Sequence, residues 1–134
     1  MRASTIISAC ALILAPGLAL ADPTGTYKVV GHADDGRGTY QGTVEVSRVG
    51  PTYKVVWMID GKKSIGTGLG MHFENPNLVF TGSASDKDIG LAVGYINKDS
   101  FGIGSYSQKA DGTWSGVWTS GGSQKIVWET WIRQ

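Results

Sequence analysis

The chain has 134 residues, enough for one domain, and carries 12 basic and 11 acidic side chains for a formal charge of +1. Those charges are scattered singly, with no basic stripe and no acidic tail, which argues against nucleic acid or anionic lipid as a partner. Glycine is the outlier: 20 residues, well above the usual share of about 7%, which together with aromatic and β-branched residues and no helical period points to an all-β domain of tight turns.

Residues 1–21 read as a secretory signal peptide. Arg2 supplies the positive start, Ile6 to Leu14 is an apolar core too short to span a bilayer, and Pro16-Gly17 breaks it. Ala19-Leu20-Ala21 gives the small-x-small cleavage pattern. The expected product is a single domain over residues 22–134, beginning at Asp22, in the periplasm or the medium and without stable membrane insertion. Ile7-Ser8-Ala9-Cys10 has the look of a lipobox, but a cut there leaves almost no apolar core ahead of it. Cys10 therefore reads as signal filler, and the exported chain has neither disulfide nor thiolate chemistry.

In chain order, Thr24 to Val30 alternates, with Tyr27 and Val29 on one face. Gly31 to Gly38 is a polar loop. Thr39 to Val49 is a clean strand on which Tyr40, Val44 and Val46 share a face with Gly42. After Gly50-Pro51, Thr52 to Ile59 places Tyr53, Val55, Trp57 and Ile59 together, and Asp60-Gly61 is a two-residue hairpin signal. Ser64 to Phe73 follows, with glycine at 66, 68 and 70. Leu78 to Thr81 is a short strand and Ser83 to Asp88 a polar loop. Ile89 to Ile96 sets Leu91, Val93 and Tyr95 against Gly90, Ala92 and Gly94. Phe101 to Tyr106 leads into a hairpin that holds Trp114, Trp118, Trp128 and Trp131, four of the five tryptophans. Eight or nine short antiparallel strands with no room for a crossover helix predict one up-and-down β-barrel, with a two-sheet β-sandwich as the alternative.

Repeated glycine inside strands costs stability, so it needs a cause. Either the sheet coils strongly or another layer approaches closely there, or one wall of the interior is kept open for a ligand. Catalytic groups are sparse. His72 with Glu129 would make an acid/base pair only if the fold joined them, and Glu129 is expected to point outward with Lys125. His32, Asp34 and Asp35 include metal-ligand types, but no second histidine lies at ligand spacing and the segment reads as a turn. No metal, cofactor or catalytic residue is assigned, and the protein is not expected to be an enzyme.

Gly25-Thr26-Tyr27 on the first strand and Arg133 on the last resemble the calycin pattern, in which a lipocalin Gly-x-Trp packs under an arginine from the last strand; Tyr27 stands here for the tryptophan. The tryptophan-rich late strands also resemble avidins, although biotin binding does not carry over because Thr24 to Gly31 lacks the avidin contacts. Tyr40 to Val44, Tyr53 to Trp57 and Asp111 to Trp118 are similar to segments of small secreted bacterial proteins. These resemblances imply a barrel fold and leave activity open.

Two functions follow. One is a non-catalytic binding protein holding a small apolar or amphipathic ligand in an aromatic-lined barrel. The other is an extracellular protein-interaction module, of inhibitor or adhesion type, using its outer face or loops. For the first, Tyr40, Trp57, Trp114, Trp118 and Trp128 are the expected lining. Trp128 is placed inward with Ile126 and Ile132, and Trp131 outward with Glu129 and Arg133.

Overall fold

The computed structural model describes residues 21–33 and 38–134. The expected signal segment, Cys10 included, lies outside them apart from Ala21, as do Asp34 and Asp35 of the turn considered as a metal site. Nine strands and no helix occur among the described residues: β1 (Gly25–Ala33), β2 (Thr39–Val49), β3 (Thr52–Ile59), β4 (Lys62–Asn75), β5 (Leu78–Gly82), β6 (Gly90–Ile96), β7 (Phe101–Gln108), β8 (Trp114–Ser120) and β9 (Val127–Arg133).

Every pairing is antiparallel, in the order β3-β2-β1-β9-β8-β7-β6-β4-β5, and an added β3–β4 ladder closes the sheet. Eight strands make the barrel. The ninth, β5, pairs only with the outer half of β4, and β6 joins β4 past it. Closure removes the two open edges that a meander would otherwise expose. The β3–β4 turn is made by Asp60 and Gly61, both at positive φ (50° and 73°), which is the geometry that suits the twist of a two-residue hairpin.

An eight-stranded barrel is just wide enough to be filled by side chains or to hold one small ligand, and this one divides its length between the two. The lower half is solid. Tyr27, Val29, Val44, Tyr53, Val55, Leu91, Trp114 and Trp131 are all buried there. The calycin-like closure is present with tyrosine in the tryptophan's place. Arg133 Cζ lies 4.8 Å above the centre of the Tyr27 ring, and its guanidinium donates to Thr24 O (2.7 Å), Asp22 O (3.0 Å) and Tyr27 Oη (2.8 Å). A second plug uses Asp88, fully buried, whose Oδ2 accepts from Tyr53 Oη and Ser85 N, each at 2.7 Å.

Strand β9 corrects the sequence reading. Trp131 is fully buried and Glu129 is 2% exposed, whereas Trp128 is 45% exposed on the outer wall. Register explains the inversion. Trp131 pairs with Val29 on one side and Trp114 on the other, both inward, while Trp128 pairs with His32 and Val117. Glu129 sits opposite Gly31 and Gly116, so a strip without side chains flanks it on both neighbours.

The inward glycines answer to close approach. A Cβ at Gly31 would overlap the Tyr40 ring, and one at Gly116 would overlap the Tyr106 ring. Rings lying flat over cross-strand glycines recover the packing that the missing side chains forfeit. On the outside the parity is reversed. Ile65, Ile96 and Phe101 are aligned in register on β4, β6 and β7, each more than 40% exposed.

Candidate functional site

The upper half of the barrel is hollow. A cavity of about 350 Å³ opens between the β3–β4, β6–β7 and β8–β9 turns, within the range of about 300–1,000 Å³ common for small-molecule sites. Its walls are aromatic: Tyr40 from β2, Trp57 from β3, Tyr95 from β6, Tyr106 from β7 and Trp118 from β8. Trp57 meets Tyr95 at 6.1 Å and 60°, and Tyr95 meets Trp118 at 5.7 Å and 88°. Edge-to-face contacts turn each wall against the next instead of stacking them shut. Asp60, Lys62, Ser64, Asn97, Ser100 and Ser120 form a polar rim.

Glu129 is the polar centre of the floor. Oε1 accepts from Tyr40 Oη at 2.5 Å. Oε2 accepts from Trp131 Nε1 at 2.8 Å, Tyr106 Oη at 2.9 Å and Trp57 Nε1 at 3.3 Å. Tyr40 Oη accepts in turn from Trp118 Nε1 at 2.9 Å. A buried carboxylate is tolerated only when it is hydrogen-bonded, and this one gathers donors from four strands, β2, β3, β7 and its own β9. Burial raises the Tyr40 and Tyr106 phenols well above their ordinary range, and the charge of Glu129 and its acceptance of their protons push them further. Tyr95 is raised by burial and then by the Glu129 charge; its hydroxyl is buried with no hydrogen-bond partner among the described residues.

Of the five residues expected from the sequence, Tyr40, Trp57 and Trp118 come together on the cavity. Trp114 does not: it is fully buried in the solid half, opposite Trp131 in register. Trp128 faces outward and takes no part. Sequence reasoning missed Tyr95, Tyr106 and Glu129. The first two were legible from alternation on β6 and β7, since each shares parity with inward neighbours. Glu129 was not, because its inward position depends on the glycines opposite.

The His72–Glu129 pair does not form. His72 belongs to the closed end, where Nδ1 lies 3.1 Å from Asp88 Oδ1 and Nε2 lies 3.7 Å from Glu74 Oε1. No group of three or more metal-ligating side chains occurs among the described residues.

No family model and no curated protein matches the chain. Solved structures do. The redesigned β-barrel mFAP1, bound to DFHBI, is 17% identical with a TM-score of 0.57, over 82% of this chain and 94% of that one. A second redesigned β-barrel is 18% identical with a TM-score of 0.58, over 83% and 90%. The apo form of lipid binding protein 8 from Caenorhabditis elegans is 12% identical with a TM-score of 0.47, over 83% and 94%. The likeness to the two redesigned barrels is one of fold. The chain is a small up-and-down β-barrel with a hollow aromatic mouth.

Proposed function

We propose that this protein is a non-catalytic binding protein that holds a small apolar or amphipathic ligand in the open half of its barrel. The observation that carries the reading is the division of the interior: one half is packed solid and the other is lined by Tyr40, Trp57, Tyr95, Tyr106 and Trp118 around about 350 Å³. Five large rings held apart around a space forgo contacts that a packed core would make, which favours a site kept for an occupant. A barrel of similar fold, mFAP1, is described bound to DFHBI, so the architecture is compatible with a small molecule. Catalysis has little to draw on, since neither histidine lines the cavity and its buried carboxylate is engaged by four donors. The ligand reading is preferred to protein interaction because the hydrogen-bonded aromatics converge inward.

Two truncations separate core from site. Trp114→Ala should cost about 3–5 kcal/mol in urea unfolding, as a fully buried ring does, and leave the cavity lining in place. Trp118→Ala should cost under about 2 kcal/mol, because its ring is only half-buried, yet abolish the change in tryptophan emission produced by a panel of small apolar ligands. Equal stability losses for the two, with no ligand response in the parent, would end this reading.

The same proposal places the protein outside the cytoplasm, with a chain that begins at Asp22. Asp22 is already tied to the barrel: its N–H donates to Asp88 O at 3.1 Å and its carboxylate accepts from Thr24 N at 2.9 Å. Intact mass of the exported protein is expected to correspond to residues 22–134. A lipid adduct on Cys10 would contradict that.

A further inference from the structure

We infer that the ligand of this cavity is an organic ammonium ion, its charge held between Glu129 and the surrounding aromatic faces and its apolar body lying toward the mouth. The inference rests on the cavity being a ligand site, as proposed above, and adds the charge of the occupant.

The first observation is an uncompensated charge. All four donors to Glu129 are neutral phenols and indoles. They hydrogen-bond both of its oxygens without cancelling its charge. Among the described residues the ion pairs within 4.0 Å both involve His72 at the opposite end, and none reaches Glu129. At 2% exposure that is unusual, because buried charges are normally paired with an opposite one. The rim does not supply the partner, since Asp60 and Lys62 both lie there and offset each other.

The second observation is unused acceptor capacity. Oε2 takes three donors, whereas Oε1 takes one, from Tyr40. Each carboxylate oxygen offers about two lone-pair sites, so Oε1 has room for one more N–H. Glu129 is itself part of the cavity lining.

The third is the character of the walls. Trp57, Tyr95 and Trp118 meet at 60° and 88°, as the sides of a box do. Indole and phenol faces attract a cation through their quadrupoles, most strongly when water is excluded. An anion would meet Glu129 with no counter-charge inside the barrel. A neutral ligand would leave the Glu129 charge as it stands.

The test uses three probes of one shape: n-hexylammonium, n-hexanol and hexanoate, titrated at pH 7 into the exported protein by tryptophan emission and calorimetry. Hexylammonium should bind at least tenfold more tightly than hexanol, and hexanoate more weakly than either. Glu129→Gln should bring the ammonium-to-alcohol ratio to within about threefold. Since Glu129 also supports the barrel, Trp118→Leu provides a second variant; it removes one aromatic face, keeps the carboxylate, and should lower the same ratio severalfold. Hexanol binding as tightly as hexylammonium, or hexanoate binding most tightly, would overturn the ammonium assignment and leave the ligand cavity standing. Saturation by none of the three would overturn both.

Discussion

Glu129→Leu should cost the barrel about 3–5 kcal/mol, a large share of the roughly 5–15 kcal/mol that holds an ordinary small domain together. Leucine removes a buried charge, and on desolvation alone that would help. The donors decide the sign. Trp131 lies buried beneath the cavity and Tyr106 lines it with only 2% of its surface exposed, and without the carboxylate their N–H and O–H have nothing to meet, at about 1–3 kcal/mol each. Tyr40 and Trp57 border the cavity and recover part of their loss there. Glu129→Gln should cost less, about 1–2 kcal/mol, because an amide oxygen in the Oε2 position keeps three of the four donors. Urea midpoints at unchanged m-value measure both. A leucine variant as stable as the parent would mean that the charge costs as much to bury as its four hydrogen bonds return.

The same residue shows where the sequence was readable and where it was not. On β2 and β3 one parity holds most of the apolar groups, against Val49 alone on the other side of β2 and Val56 and Met58 on the other side of β3, so Tyr40, Val44 and Val46, and then Tyr53, Val55 and Trp57, could be set on the inner face by alternation. Strand β9 offers no such choice. Val127 and Trp131 are apolar on one parity, Trp128 and Ile132 on the other, and a carboxylate at 129 tips the balance outward by ordinary burial preference. What reverses it is pairing: Gly31 and Gly116 flank Glu129 and let the Tyr40 and Tyr106 rings cross over to reach it. Register across three strands is information that no single strand carries. Asp88 was hidden for a related reason. It ends a polar loop like any turn residue, and its burial follows only when Gly70 leaves space for it and Tyr53 arrives from β3. Closure into an up-and-down barrel, by contrast, was visible in the strand count and the short connections.

On the closed half the glycines and plugs make a rigid base, and on the open half they keep the rings apart. Rings over glycine let the barrel carry Tyr40, Trp57, Tyr95, Tyr106 and Trp118 at one level without overfilling it, since Gly31, Gly66, Gly102, Gly104 and Gly116 contribute no side chain of their own. Glycine here is therefore both a packing device and the reason a cavity exists, so close approach and an open interior act together.

Above pH 10 the barrel should lose stability steeply, and its tyrosines should ionise only as it unfolds. All five tyrosines are raised from their ordinary value. Burial is the largest cause in each. For Tyr40 and Tyr106 the charge and hydrogen bond of Glu129 come next, and for Tyr53 the hydrogen bond and charge of Asp88. In the unfolded chain they titrate near 10. Below that pH both states keep their phenolic protons and stability has no slope from this source. Above it the unfolded state releases protons that the folded state retains, so stability falls as pH rises. Tyr106, almost wholly buried, contributes about 1.4 kcal/mol per pH unit in that window. The more exposed phenols contribute less, since solvent screens them. Phenolate absorbance followed alongside circular dichroism should therefore stay flat through pH 10 and then rise in one step with the loss of sheet signal. A gradual phenolate titration centred on 10, with the sheet signal intact, would show that the rings are not held as the cavity floor requires.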